Sequence, residues 1–149
     1  MRAAQISPPL PLVAQLLILP VIDNTALPNS NPWLKNRFAP WLSPSRMLWY
    51  RRKYLPDEKD CLAWTASPNL ASPELLRMSP KTWIAVAECD LLAGEACLYG
   101  GKLQGYGVHV DIKSYKGCTH SLLAASGLFT QGRTLVEDTI IRVKEAFAV

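Results

Sequence analysis

The sequence predicts an α/β fold: a parallel layer of about three strands with flanking helices, behind long N-terminal loops. Three observations carry that expectation. Thr82–Ala87 (TWIAVA) is an unbroken apolar run rich in β-branched and aromatic residues, the pattern of a strand covered on both faces. From Thr82 onward strand-like and helix-like patterns alternate with short links, which implies a parallel layer with right-handed crossovers. All 12 prolines lie at or before Pro80 and all 8 glycines at or after Gly94. That segregation gives the first half to loops and short elements of fixed φ, and the second half to regular elements joined by permissive turns.

Taken in order, the first element lies in the run Pro9–Ile22, apolar except for Gln15. At ~14 residues it is too short to cross a bilayer, which takes about 20. Met1-Arg2 before it resembles the start of a leader, but Pro9, Pro11 and Pro20 interrupt the run and no small-residue cleavage pattern follows, so a buried strand over Gln15–Pro20 is the better reading. Asp23–Leu42 has three prolines and no clear period and reads as a long loop. Ser43-Pro44 is a helix start, with Ser as cap and Pro in the first turn. The helix has Met47, Tyr50 and Tyr54 on one face with Leu48 and Leu55, and Pro56 ends it. Residues 57–81 read as loop with at most one short helix. After Thr82–Ala87 comes a helix over about Gly94–Gln104, with Ala96, Tyr99, Gly100 and Leu103 on one face and Gly105-Tyr106-Gly107 closing it. Val108–Lys113 alternates apolar and polar, as a half-exposed strand near an edge does, and the strand runs on towards Tyr115. Thr134-x-x-Glu137 is a capping box that opens a last helix with Val136, Ile140, Val143 and Phe147 facing inward.

With 149 residues the chain is long enough for one core, so residues 1–149 are expected to form a single domain. A net charge of +4 without a basic stripe argues against a nucleic-acid partner. The four cysteines form no C-x-x-C pair, and His109 and His120 are the only histidines. No metal site and no cofactor are therefore expected. The cysteine spacing matches no secreted disulfide framework and no N-x-[ST] acceptor occurs, so the thiols are expected buried and reduced in a cytoplasmic protein.

The strand order has a chemical consequence. Asp90 follows the carboxyl end of the strand ending near Ala87, and His120 follows the carboxyl end of the one ending near Tyr115. In a parallel sheet those ends share one edge, adjacent strands are ~4.8 Å apart, and ligands bind along that edge. An Asp orienting a His is two-thirds of a nucleophilic triad. The order acid then histidine is that of α/β-hydrolases. The competing reading is a loop Asp capping the next helix beside a surface His.

Local sequences favour the first reading. Leu16–Asp23 (LLILPVID) and Ser67-Pro68 within Trp64–Leu70 resemble stretches of the hormone-sensitive-lipase-like branch of α/β-hydrolases. Ala87–Leu92 (AECDLL) followed by Glu95 resembles that family's acid motif, and Tyr115–His120 (YKGCTH) its histidine motif. The resemblance runs along nearly the whole chain and implies a partial α/β-hydrolase fold, the C-terminal half of a carboxylesterase, lipase or deacetylase of small or secondary-metabolite esters. It assigns Asp90 and His120 as catalytic. One departure is decisive: the family's oxyanion-hole glycines and G-x-S-x-G elbow precede the LLILP strand, yet here 15 residues precede Leu16, the first glycine is Gly94, and no G-x-S-x-G occurs. Ser121 and Ser126 have no elbow context. Leu91 stands where the family usually has Pro, and Ser121 where it usually has Gly.

Without nucleophile and oxyanion hole this chain alone has no covalent acyl transfer available. The alternatives left open are an ester hydrolase represented by its C-terminal half, a short non-catalytic α/β-hydrolase-like binding or interaction protein, and a remnant without function. A strand covered on both sides whose usual neighbours are missing also implies that the chain alone is poorly stable or self-associates. Three remaining features have plain readings. Arg51-Arg52-Lys53 reads as a solvated helix face, Gly100-Gly101-Lys102 lacks the earlier glycine of a phosphate loop, and Cys118 reads as a small packing residue beside His120.

Overall fold

The computed structural model describes residues 10–148 together with Gln5. Three parallel strands form one sheet in the order β1 (Gln15–Ile18), β2 (Thr82–Ala87), β3 (Val110–Tyr115). Leu17 lies beside Ile84, and Ile84 beside Ile112. All six residues of β2 are buried, as its unbroken apolar run requires of the middle strand. Its two faces feed separate cores. Ile84 and Val86 meet Ala96, Tyr99 and Leu103 of the crossover helix, while Trp83, Ala85 and Ala87 pack with Leu19, Tyr115, Leu122 and Leu135. This is a three-stranded parallel sheet flanked by helices, as predicted.

The helices are α1 (Asn31–Leu34), α2 (Pro44–Tyr54), α3 (Pro73–Arg77), α4 (Ala93–Gly105) and α5 (Thr130–Phe147). α4 buries the predicted face, Ala96, Tyr99, Gly100 and Leu103. A Cβ on Gly100 would come within 2.6 Å of the Ile112 side chain, so the small residue lets α4 lie close on the sheet. α2 begins at the predicted cap, where Ser43 Oγ accepts from the Arg46 N–H. None of the helices among the described residues is long and apolar enough to cross a membrane.

Several elements differ from the expectation. The long loop over 23–42 contains α1, because Pro32 presets its first turn and Trp33 is driven into a third core with Ala26, Leu42, Met47, Leu91 and Leu92. Residues 57–81 hold α3 and two 3₁₀ turns, Glu58–Leu62 and Pro68–Leu70. β3 runs from Val110 to Tyr115, two residues later than the alternation suggested. α5 begins at Thr130, so the Thr134-x-x-Glu137 box lies inside the helix instead of opening it. The extra turn forms because Gly132 sits against Ser126, where a Cβ would approach its Cα to 2.6 Å. The same packing turns the helix: Gly132 and Leu135 are buried, while Ile140, Val143 and Phe147 face solvent. On α2 the buried pair is Met47 and Arg51, with Tyr50 and Tyr54 exposed. The four thiols are free, but only Cys61 is fully buried and Cys97 is exposed.

Gly94, in the first turn of α4, lets the N-terminal loops approach the sheet layer closely. A Cβ there would stand 2.2 Å from the Pro32 carbonyl oxygen. Gly94→Ala should therefore force α1 off α4 and cost about 1–3 kcal/mol, read as a fall in the urea midpoint. Gly101→Ala, facing open space on the same helix, should raise stability by about 0.4–1 kcal/mol. Equal effects at the two sites would refute this packing.

Candidate active site

The turns that follow β2 and β3 are joined to each other. Glu88 N–H donates to the Tyr115 carbonyl at 3.0 Å, Cys89 N–H to the Cys118 carbonyl at 2.8 Å, and Gly117 N–H to Glu88 Oε2 at 2.9 Å. Gly117 makes the reversal with φ of +67°, a conformation that an L side chain adopts at a cost. These bonds extend the sheet pairing beyond the strands and bring the next side chains of each turn face to face.

Those side chains are Asp90 and His120. Asp90 Oδ2 lies 2.8 Å from His120 Nδ1. The carboxylate is almost wholly buried, at 1% exposure, while the imidazole is 34% exposed. Asp90 Oδ1 accepts from the Leu92 N–H at 3.1 Å, and the Asp90 carbonyl accepts from Ala93 N–H and from Asn36 Nδ2. Both carboxylate oxygens are thus engaged and the side chain has no freedom to turn. The hydrogen bond to Asp90 selects the tautomer with its proton on Nδ1, leaving the Nε2 lone pair to act as a base.

The structure therefore brings together both residues that the sequence singled out. Ser67 is elsewhere: wholly buried, it accepts from Asn24 N–H and donates to the Cys61 carbonyl, and so ties loops together. Among the described residues no serine hydrogen-bonds His120. Cys118 Sγ donates to the Lys116 carbonyl, and burial pushes its thiol up, away from reactivity.

His120 opens on a cleft of about 570 Å³ whose walls include Val21, Leu42, Met47, Tyr50, Tyr54 and Leu92. That volume is in the range of small-molecule sites, and the lining is mostly apolar. The chain reaches this wall through Leu19, which adopts φ of 48° at the end of β1 before Pro20, a left-handed turn that costs a non-glycine residue about 1–3 kcal/mol.

Three residues of the site escape the sequence reading. Asn36 donates one side-chain amide to the Glu88 and Asp90 carbonyls at 2.9 and 2.7 Å. Glu95, on the buried face of α4, accepts from Ile22 N–H at 2.7 Å, Asp23 N–H at 3.2 Å and Trp33 Nε1 at 2.8 Å. Arg51 is not on a solvated face but buried, its guanidinium 5.4 Å over the Trp33 ring. The signal for the last two is present in the sequence: Glu95 is four residues before Tyr99, and Arg51 four after Met47, so each charge lies on the apolar side of its helix.

The chain is similar to known proteins along most of its length. A family model described as alpha/beta hydrolase fold matches residues 1–124, and the chain belongs to that family. It is 40% identical over 139 residues to an AB hydrolase superfamily protein of Schizosaccharomyces pombe, covering 93% of this chain and 41% of that one. An esterase of Fusarium pseudograminearum is 30% identical over 112 residues, covering 73% of this chain and 35% of its own. Among solved structures, carboxyl esterase 2 of the mycorrhizal fungus Tuber melanosporum matches with a TM-score of 0.87 at 27% identity, over 97% of this chain and 48% of that protein. The chain spans less than half the length of each of these relatives.

Burial pushes the Glu95 carboxyl above its ordinary range, and the donors from Ile22, Trp33 and Asp23 pull it only part of the way back. The folded state thus binds the Glu95 proton more tightly than the unfolded chain does. The stability this supplies is present below the unfolded carboxyl's range and is lost as pH rises through the folded value. Glu95→Gln should flatten that slope. It turns an amide donor towards one of the three N–H groups, so it should also cost about 1–3 kcal/mol at neutral pH. Urea titrations across pH check both effects; a variant as stable as the wild type at neutral pH would remove Glu95 from its bridging role.

Proposed function

We propose that this chain, as one unit over residues 1–149, supplies the acid–base half of a serine carboxylesterase acting on small esters. The observation that carries the reading is the 2.8 Å contact between Asp90 Oδ2 and His120 Nδ1, at the carboxyl edge of the sheet and facing an apolar cleft. The esterases among its relatives support it.

In this mechanism Asp90 keeps the Nδ1 proton in place and stabilises the imidazolium. His120 Nε2 takes the proton of a serine hydroxyl as its oxygen attacks the ester carbonyl. The tetrahedral intermediate then collapses, and Nε2 passes that proton to the departing alkoxide. In the second half Nε2 takes a proton from water, the resulting hydroxide attacks the acyl-serine, and the proton returns to the serine oxygen. The serine and the oxyanion donors come from polypeptide outside this sequence, since no G-x-S-x-G occurs within it.

Two assays test the assignment. The chain alone should show no fluorophosphonate labelling and no turnover of a short-chain p-nitrophenyl ester. Co-expression with the part of the Schizosaccharomyces pombe relative that this chain does not match should give hydrolysis. His120→Ala should abolish that activity, and Asp90→Asn should lower it by up to about 10⁴-fold through the wrong tautomer. Stoichiometric labelling of a serine in the lone chain, or hydrolysis indifferent to His120→Ala, would overturn the proposal.

The same reading implies that the lone chain self-associates. Gln15 and Leu19 N–H groups donate towards β2, so by alternation the peptide groups of Leu16 and Ile18 point to the outer edge of β1, where no strand lies among the described residues. Leu10, Leu12 and Val13 beside it are exposed, and an open edge with apolar neighbours is a template for another chain. Sedimentation at micromolar concentration should show dimers or larger species; a monodisperse monomer with a cooperative melt would refute this.

A further inference from the structure

Arg51 is a buried cation that forms no ion pair among the described residues. It is 8% exposed, and its Nε and Nη2 are buried with no hydrogen-bond partner among the described residues. Its guanidinium stacks on Trp33. The nearby carboxylates attract it but are engaged elsewhere. Glu95 holds Ile22, Asp23 and Trp33. Asp23 Oδ1 accepts from the Thr25 N–H and hydroxyl, and its Oδ2 accepts from Asn69 Nδ2. Burial accordingly pushes the Arg51 pKa down against the pull of Cys61, Glu95 and Asp23. A buried guanidinium left unpaired is strongly unfavourable unless an anion completes it.

Arg51 borders open space, although its Nε and Nη2 are themselves covered. Arg51 is in the wall shared by two clefts, the one that holds His120 and a neighbour of about 530 Å³ where Arg52 and Lys59 add positive charge against Glu58. His120 and Arg51 line the same cleft of about 570 Å³, within the range of small-molecule sites. A guanidinium that meets a ligand carboxylate makes a charge-assisted bond with it, and a side-chain shift that uncovers Nε or Nη2 makes it two.

We propose that Arg51 is the specificity residue of the His120 cleft, and that the esters bound there carry a free carboxylate away from the scissile bond, as a dicarboxylic acid monoester does. This rests on reading the cleft as the ester site. It gives Arg51 the role of holding one end of the substrate while the ester carbonyl lies towards His120, with no part in proton transfer.

Monoethyl and diethyl succinate share a skeleton and differ in one charge, so titrating each into the full chain by calorimetry is a direct test. The monoester should bind at least about tenfold more tightly, since a charge-assisted pair is worth that much or more. The preference should vanish in Arg51→Met, which keeps an unbranched side chain of similar length and removes the charge, and Arg51→Lys should retain part of it. A cooperative melt verifies that the variants fold. The wild-type preference should also fade below the carboxylate range, which tests the idea without any variant. Equal binding of the two esters, binding of neither, or a preference that survives Arg51→Met overturns the inference. A preference that depends on Arg51, alongside complemented hydrolysis indifferent to His120→Ala, would sustain Arg51 and sink the catalytic reading. Hydrolysis that depends on His120 with no preference for the monoester would do the reverse.

Discussion

The arrangement around the cleft depends on one carboxylate, that of Glu95. It is buried at the start of α4 and takes three N–H groups from two other segments, the backbone after β1 and the indole of Trp33 on α1. No backbone pairing joins residues 22–36 to the sheet in the way that β1 joins β2. The loop is held by this acceptor, by the close approach of Gly94 to Pro32, and by Asn36 on the Glu88 and Asp90 carbonyls. Charge-assisted bonds are shorter and stronger than neutral ones, and a buried acceptor with three donors fixes its partners in direction as well as distance. Five residues of the cleft wall, Leu42, Met47, Tyr50, Arg51 and Tyr54, lie on α2 or just before it, so their position depends on where that loop is anchored. The third core around Trp33 is thus organised about a charge as much as about apolar area.

This explains which parts of the molecule are legible in the sequence. β2 and α4 come from patterns that local chemistry decides: an apolar run for a strand covered on both faces, and small and aromatic residues at helical spacing. Asp90 and His120 come from topology, because any residue just past a parallel strand's carboxyl end is delivered to the same edge. The less legible elements are those set by tertiary contacts. Thr134-x-x-Glu137 is a sound capping box, yet Gly132 packed on Ser126 extends the helix beyond it and turns its apolar stripe to solvent. Trp33 creates a helical turn in a proline-rich loop because the core has a place for an indole whose N–H already has an acceptor. Arg51 reads as solvated because composition says that arginine is exposed; its position four residues after Met47 says otherwise.

The Asp90–His120 pair is self-contained in a way that bears on how such a protein is put together. Among the described residues every hydrogen bond that fixes it, except those from Asn36, lies between residues 82 and 122: β2, the turn to α4, β3, and the turn ending at His120. The two turns are tied backbone to backbone, by Glu88 to Tyr115 and Cys89 to Cys118. The imidazole tautomer is selected inside this segment, by a carboxylate whose second oxygen is already held by Leu92 N–H. A nucleophile brought from other polypeptide would thus meet a base whose proton already lies on the far nitrogen. It would have to supply position and nothing of the tautomer.

The contrast with Arg51 sharpens the point. Asp90, Glu95 and Asp23 each have their oxygens engaged by this chain's own donors, so these negative charges are complete. The buried positive charge is not. Folding tolerates an unpaired guanidinium only where the surrounding structure holds it in place by other means, here the stacking on Trp33 and an anchorage on α2 one turn after the buried Met47. Strain and incomplete pairing concentrate at functional sites because the missing partner arrives with the ligand. On the proposed reading of the cleft as an ester site, the Asp90–His120 pair is its finished part and Arg51 the part that waits for a ligand's anion, one group for the chemistry and the other for the choice of ester.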